Sequence, residues 1–186
     1  MMVTSPVLHT WSVEDYNQMI HQGIFPPESH VELIDGEILD MPPQDPIHST
    51  CICLIEELFR PLLRGKATLR VQMPVKLARS LPNPDLVVAR GTIRDYATTH
   101  PGPQAVLLLI EVSNTTLQFD LGKKAMVYAR DEIDDYWVVD VGNRQLHVFR
   151  QAIAGNYSQH LILGAEETIS PFHFPDWVFK VADMLL

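Results

Sequence analysis

"AVLLLIEVSN", residues 105–114, decides how this chain is read. Ala105 to Ile110 are six consecutive apolar or small residues, and they run directly into Glu111. An uninterrupted apolar run of this length reads as a strand buried on both faces of a sheet. An ionised carboxylate at its end is costly unless something pairs with it. The fold must therefore supply Glu111 with a partner.

Two neighbouring stretches offer one. Upstream, "LPNPDLVVA" (81–89) carries Pro82 and Pro84, which keep the chain extended before Asp85. Leu86, Val87, Val88 and Ala89 then read as a second buried strand. Downstream, "LQFDLGKKAMVYARDEI" (117–133) reads as a helix. At about 100° per residue, Leu117, Leu121, Ala125 and Tyr128 form one apolar stripe with Lys124 inside its edge. Lys123 points about a quarter turn away, beside Arg130 on the polar side. Lys124 is thus expected to lay its stem over the sheet and seek an acceptor, and Lys123 to remain solvated. The acceptor is either Asp120, one turn earlier, or Glu111.

If the two strands are neighbours, Asp85 and Glu111 converge at one sheet end. Close carboxylates repel unless a proton or cation intervenes. A hard divalent ion fits such a pair, since Mg²⁺ commonly takes one or two carboxylates and several waters. A nearby ammonium completes a site for phosphoryl chemistry. Two unrelated polar strand ends have the same spacing, and spacing alone does not choose between these readings.

The remaining elements build a mixed order. "TWSVEDYNQMIHQG" reads as a first helix capped by Ser12, with Asp15 three residues on and Gly23 as its stop. "HVELIDGEILDM" reads as a hairpin about Asp35–Gly36. "HSTCICLIEELFRPLL" carries Ile52, Ile55, Leu58, Phe59 and Leu62 at helical spacing, with Pro61 expected to end or kink it. "TLRVQMPVKL" and "DLVVAR" are strand candidates, and "DYWVVDV" pairs with "QLHVFR" across Gly142–Asn143. The tail, "YSQHLILGAEETISPFHFPDWVFKVADMLL", reads as one or two short strands and a helical turn. "DEIDD" (131–135) reads as a solvated turn, and Trp11, Trp137 and Trp177 as core. This mixing of elements implies a central sheet with helices packed on it.

Composition narrows the function classes. The chain has 186 residues, a net charge of −9 and 46% hydrophobic residues. That length suits one domain with a sizeable core. The acidic balance argues against a broad basic footprint for nucleic acid, though not against a small cationic cleft or a site carrying a metal. No apolar run reaches the roughly 18 residues needed to span a membrane. "MMVTSPVLHTWSVEDY" lacks the basic-then-apolar order of a secretory signal. Cys51 and Cys53 point to nearly opposite helix faces, so we expect both to be reduced and the compartment to be cytoplasmic. The other histidines, His9, His21, His30, His100, His147, His160 and His173, lack metal-ligand spacing. No Gly-rich phosphate loop or Ser/His/Asp arrangement is visible.

In order along the chain, "WSVEDY", "VELIDGEI", His48 at a helix start, Pro84–Asp85, "EVS" at 111–113, "DLGKKAMVYA" and "DYWVVDV" resemble the Uma-two family. That family falls within the PD-(D/E)XK restriction-endonuclease-like superfamily. The resemblance runs from about residue 12 to the end. It implies an α/β (α+β mixed) fold, a restriction-endonuclease-like core with a central mixed sheet flanked by helices. It makes 1–186 one domain: an N-terminal helix and hairpin (1–44), a nuclease-like core (45–150) and C-terminal strands and tail (151–186). It implies Mg²⁺ or Mn²⁺ held by Asp85 and Glu111, helped by the carbonyl of Val112. The superfamily's usual lysine position, two residues after the glutamate, is Ser113 here, and the resemblance implies that the lysine is displaced to the following helix, matching Lys124. Glu32, His48, Ser113 and Asp120 are carried over as supporting or substrate-side groups. For Glu32 a solvent-facing strand position, and for His48 a local helix-start hydrogen bond, explain the same residues.

The expected function is thus a metal-dependent endonuclease acting on nucleic acid, DNA before RNA. The alternative is a nuclease-like fold used as a binding or regulatory module without turnover. The apolar tail "PFHFPDWVF" is a candidate homodimer surface.

Overall fold

The computed structural model describes residues 7–186; the start of the segment read above for a secretory signal lies outside them. The opening stretch is strand β5 (Val106–Ser113), and all eight of its residues are buried. It runs antiparallel to β4 (Leu86–Ala89) and parallel to β6 (Asp135–Asp140). The full six-stranded sheet has the order β3-β4-β5-β6-β7-β8, with β3 Thr68–Val71, β7 Gln145–Ile153 and β8 Asn156–Gly164. The fold is therefore a mixed sheet flanked by helices, as expected.

A parallel pair needs a crossover. It is made by α3 (Leu117–Phe119), a π-helical turn (Asp120–Lys124) and α4 (Ala125–Arg130), which follow one another without a break. This helix covers one sheet face, where Ala125 and Tyr128 join Val87, Leu109, Tyr136, Val138 and Phe149. The opposite face is covered by α2 (Pro46–Leu63), which buries Ile52, Ile55 and Phe59 against Val88, Leu108, Ile110 and Trp137. Strands β9 (Thr168–Ile169) and β10 (Phe179–Lys180) close that second core, with Phe179 stacked on Phe59 at 4.6 Å.

Register brings the carboxylates together. Side chains alternate between faces along a strand, so Glu111 shares a face with Leu109, and Asp85 with Val87. The pairing of Leu86 with Ile110 then makes Asp85 and Glu111 neighbours beneath the crossover helix.

The first helix, α1 (Val13–His21), has a full capping box between Ser12 and Asp15. Strands β1 (Val31–Ile34) and β2 (Glu37–Asp40) form the expected hairpin. Asp35 and Gly36 both have positive φ (53° and 80°), as a tight two-residue hairpin turn requires. The hairpin is tied to the core where Leu81 donates its N–H to the Leu33 carbonyl at 2.8 Å. Cys51 is buried, Cys53 is exposed and both are free.

Five expectations need correction. Of the two outcomes expected at Pro61, an end or a kink, the end does not occur there, since α2 continues to Leu63. Proline so near the C-terminus removes little of the ladder, and burial of Phe59 and Leu63 holds the last turn. "TLRVQMPVKL" is not one strand: β3 stops at Val71, because Gln72 adopts φ 52° and turns the chain away. The tail's "YSQHLILG" belongs to nine-residue β8, the sheet's edge, joined to β7 through Ala154 and Gly155 at positive φ. Trp11 is exposed rather than core, while Trp137 is fully buried and Trp177 stacks on Phe174.

"DEIDD" is not a solvated turn. Asp131 accepts from the Ala78 N–H at 2.7 Å, and Ile133 and Asp135 are buried. Asp135 Oδ1 accepts from Arg150 Nε and Trp137 Nε1, both at 2.9 Å, and Oδ2 from the Phe172 N–H at 2.7 Å. Removing one side of a buried, fully bonded pair strands the other. Asp135→Ala is expected to lower unfolding stability by about 3 kcal/mol in urea titrations, and Asp134→Ala, at an exposed position, by much less.

Candidate active site

The buried end of β5 meets the crossover helix at Lys124. Its Nζ donates to Glu111 Oε1 at 2.9 Å, and lies 3.5 Å from Glu32 Oε2 and 3.8 Å from Asp120 Oδ1. Tyr128, one turn later, donates its hydroxyl to the same Glu111 oxygen at 2.7 Å. Both readings of Lys124 thus coexist, but Glu111 is the nearer acceptor. Lys123 is half-exposed and pairs with Glu37 at the hairpin.

The π-helical turn is fastened to the sheet. Asp120 Oδ2 accepts from Ser113 Oγ at 2.5 Å and Thr116 Oγ1 at 2.6 Å, and the Asp120 carbonyl accepts from Tyr136 at 3.0 Å. These bonds hold the wider turn against β5 and β6 and keep Lys124 on the sheet side. π-turns of this kind recur at functional positions.

Asp85 sits just before β4 and spans the gap between the helices. Its Oδ2 accepts from the Val112 N–H at 2.8 Å, and its Oδ1 lies 3.0 Å from His48 Nε2. Its own N–H reaches Glu111 Oε2 at 3.4 Å, and Gln72 Nε2 approaches Oδ1 at 3.4 Å. His48 is positioned from α2, where Asp45 is the N-cap and accepts from the His48 N–H at 2.8 Å. Asn114 Nδ2 also bonds Asp45, tying the start of α2 to the end of β5.

Charge is unbalanced here. Glu32, Asp85, Glu111 and Asp120 are all nine-tenths or more buried, and Lys124 is the single buried ammonium among them. Burial pushes the Glu111 carboxyl up to about 8; Lys124 opposes this, and Asp85, Asp120 and Glu32 add to it. Burial works against the Lys124 charge, but Glu111, Glu32 and Asp120 outweigh it and raise its pKa above the ordinary value. For His48 burial likewise works against the charge, and Asp85 then Asp45 and Asp120 outweigh it. Glu32 Oε2 is buried with no hydrogen-bond donor.

These groups line an open cleft of about 90 Å³, together with Val112, Thr116 and the Pro42–Pro43 loop. Among the described residues no three His, Cys, Asp or Glu side chains form a ready-made ligand set. The pair that could hold a divalent ion is Asp85 and Glu111. All-oxygen donors and an excess of carboxylates fit a hard cation that keeps most of its waters.

With this geometry in hand, the chain can be set beside known proteins. The model of the Uma2 family, described as "Putative restriction endonuclease", matches residues 13–182. The chain belongs to the Uma2 family. No curated protein matches it. Among solved structures it is similar to a chain described as "a putative nuclease belonging to DUF820" from Anabaena variabilis ATCC 29413. The TM-score is 0.75 at 14% identity, over 93% of this chain and 96% of that one. At that identity the likeness concerns the fold.

In this Uma2 chain all the sequence-derived candidates converge: Asp85, Glu111, Val112, Lys124, Glu32, His48, Ser113 and Asp120. Glu32 does not face solvent; the hairpin's tether at Leu81 turns it inward. Sequence reasoning missed Tyr128 as a polar partner of Glu111, and missed Asp45, Gln72 and Asn114. Tyr128 was legible as a member of the Lys124 stripe, but its hydroxyl's direction was not.

Glu111 holds its proton more tightly folded than unfolded, so its contribution to stability is full below about 4.5 and is lost as pH rises through about 8. His48, whose raised pKa is set by Asp85 and its neighbours, acts in the same direction above its ordinary value. In chelator, wild-type unfolding free energy is expected to fall between pH 5 and 8.5, and more steeply than that of Glu111→Gln, as urea titrations across that range will read.

Proposed function

We infer that this chain hydrolyses phosphodiester bonds in nucleic acid, using Mg²⁺ or Mn²⁺ held by Asp85 and Glu111. The observation that carries this reading is the continuous contact from Lys124 through Glu111 to Asp85 in an open cleft. Family membership supports it.

A bound divalent ion supplies polarisation of the scissile phosphate and acidification of water. The protein's own residues do the rest. The Val112 N–H and His48 fix the two oxygens of Asp85, so its orientation does not depend on substrate. Tyr128 and Lys124 both hold Glu111 Oε1, leaving Oε2 on the Asp85 side. Lys124 orients the attacking water or stabilises charge gathering on the phosphoryl oxygens. Asp120, anchored by Ser113 and Thr116, keeps Lys124 from swinging to solvent. His48, at the cleft beside Asp85, is placed to hydrogen-bond a phosphate or leaving oxygen.

The second reading, a binding module without turnover, is favoured by one observation: three carboxylates already surround Lys124. Plasmid nicking separates the two. Wild type is expected to nick in Mg²⁺ or Mn²⁺ and to stop in EDTA. Asp85→Asn, Glu111→Gln and Lys124→Met are each expected to lower the rate by about 100-fold or more. Metal-independent nicking, or full activity in those variants, removes the proposed mechanism; metal binding with no nicking selects the second reading.

A further inference from the structure

The acidic net charge hides a basic edge. Residues 60–104 carry eight of the chain's 14 Lys and Arg but only two of its 23 Asp and Glu. Among the described residues, most cations are spoken for: Arg60, Lys76, Arg79, Lys123, Lys124, Arg130, Arg150 and Lys180 each pair with a carboxylate. Arg64, Lys66, Arg70, Arg90 and Arg94 make no such pair. They cluster on one outer edge of the sheet. Arg64 and Lys66 lead into β3, Lys66 lying 4.8 Å over the Trp177 ring, Arg70 lies within it, and Arg90 and Arg94 follow its antiparallel partner β4, so the outer four sit at the end of this strand pair away from Asp85.

Arg70 is the unusual member. It is 8% exposed, and its Nε is buried without an acceptor. Its guanidinium lies 5.1 Å over the Tyr96 ring, and Nη2 lies 3.3 Å from His100 Nδ1. No carboxylate compensates it. A buried charge of this kind is expensive unless an anion meets it. The aromatic face and imidazole hold the fork in one orientation without neutralising it. A planar fork of this kind recognises phosphate in two-point contacts. His100 is exposed, so the anion has an approach.

Position gives the ligand. Gln72, two residues beyond Arg70, reaches Asp85 Oδ1. Two residues along a strand cover about 7 Å, so the Arg70 backbone lies one such step along the sheet edge from Gln72 and on the same face as Asp85, while its guanidinium turns over Tyr96, whose hydroxyl bonds the Arg90 carbonyl at the far end of β4. The cleft itself offers no cation but Lys124 and, when protonated, His48. We propose that the β3 edge is a track for a nucleic-acid backbone leading to the Asp85–Glu111 cleft, with Arg70 as its anchoring phosphate site and Arg64, Lys66, Arg90 and Arg94 as outer contacts. The proposal rests on the nuclease reading of that cleft.

The test measures binding without cleavage. Fluorescence anisotropy in EDTA follows a labelled 20-nucleotide DNA, single-stranded and duplex, as salt is varied. Arg70→Met is expected to weaken binding about fivefold or more and to lower the salt slope by about one. Its melting temperature should equal or exceed that of wild type, since an uncompensated buried charge has gone. Arg144→Met, unpaired but remote from this edge, should bind as wild type. The exposed double variant Arg64→Met/Arg94→Met keeps the test open if Arg70→Met folds poorly, with an expected slope change of about two. Wild-type affinity in both edge variants, or no binding by wild type, overturns the track. Plasmid nicking is scored separately, so nicking that persists while the edge variants bind normally discards the track and keeps the nuclease.

Discussion

The arrangement depends on one buried contact between an ammonium and a carboxyl group. Lys124 and Glu111 meet at 2.9 Å, each no more than 4% exposed. Without the ammonium, Glu111, Glu32 and Asp120 would crowd one interior with no positive charge between them. With it, β5, the hairpin and the crossover helix can close on one another. The pair does not balance the site, because Asp85 and the remaining carboxylates exceed what one ammonium neutralises. That surplus distinguishes this site from an ordinary structural salt bridge, where charges match and side-chain oxygens are satisfied. The divalent ion proposed above would offset that surplus.

The surrounding bonds hold the acidic groups in place while leaving them short of positive charge. Asp85 is gripped by a main-chain N–H and an imidazole, Glu111 by a phenol and an ammonium, Asp120 by two hydroxyls. The grips come from several elements: β5, α2, the turn before α3, the π-helical turn and α4. Packing on both faces of the sheet therefore fixes the spacing of the carboxylates, and no single loop controls it. A chain with a net charge of −9 can present such a centre to a polyanion only if cations are segregated elsewhere. The unpaired arginines beside β3 and β4 are that segregation.

Much of this was legible in residue order. The apolar run of 105–110 identified a strand buried on both faces, because no solvent-facing alternation interrupts it. The helical angle separated Lys124 from Lys123, and the separation survives the π-helical turn because Ser113 and Thr116 pin that turn to the sheet. The capping box of Ser12 and Asp15 and the Asp35–Gly36 turn are local chemistry, and both form as read. Several misreadings were tertiary. Asp135 looked solvated because its partners, Arg150 and the Phe172 N–H, come from β7 and the tail. Strand β3 looked longer because nothing in "QMPVKL" announces the positive φ at Gln72. The edge strand β8 was underestimated because strand pairing, not composition, extends it.

By itself, then, the sequence determined the buried strand, the lysine that leans inward and the two carboxylates in need of a partner, since each follows from periodicity or from the cost of burying charge. Tertiary structure alone decided that these groups meet. Register between β4 and β5 made Asp85 and Glu111 neighbours, the parallel crossover brought Lys124 above them, and the hairpin's tether turned Glu32 inward. Those are long-range pairings, whose partners are far apart in the chain and are selected by the packing of the whole sheet rather than by any local pattern.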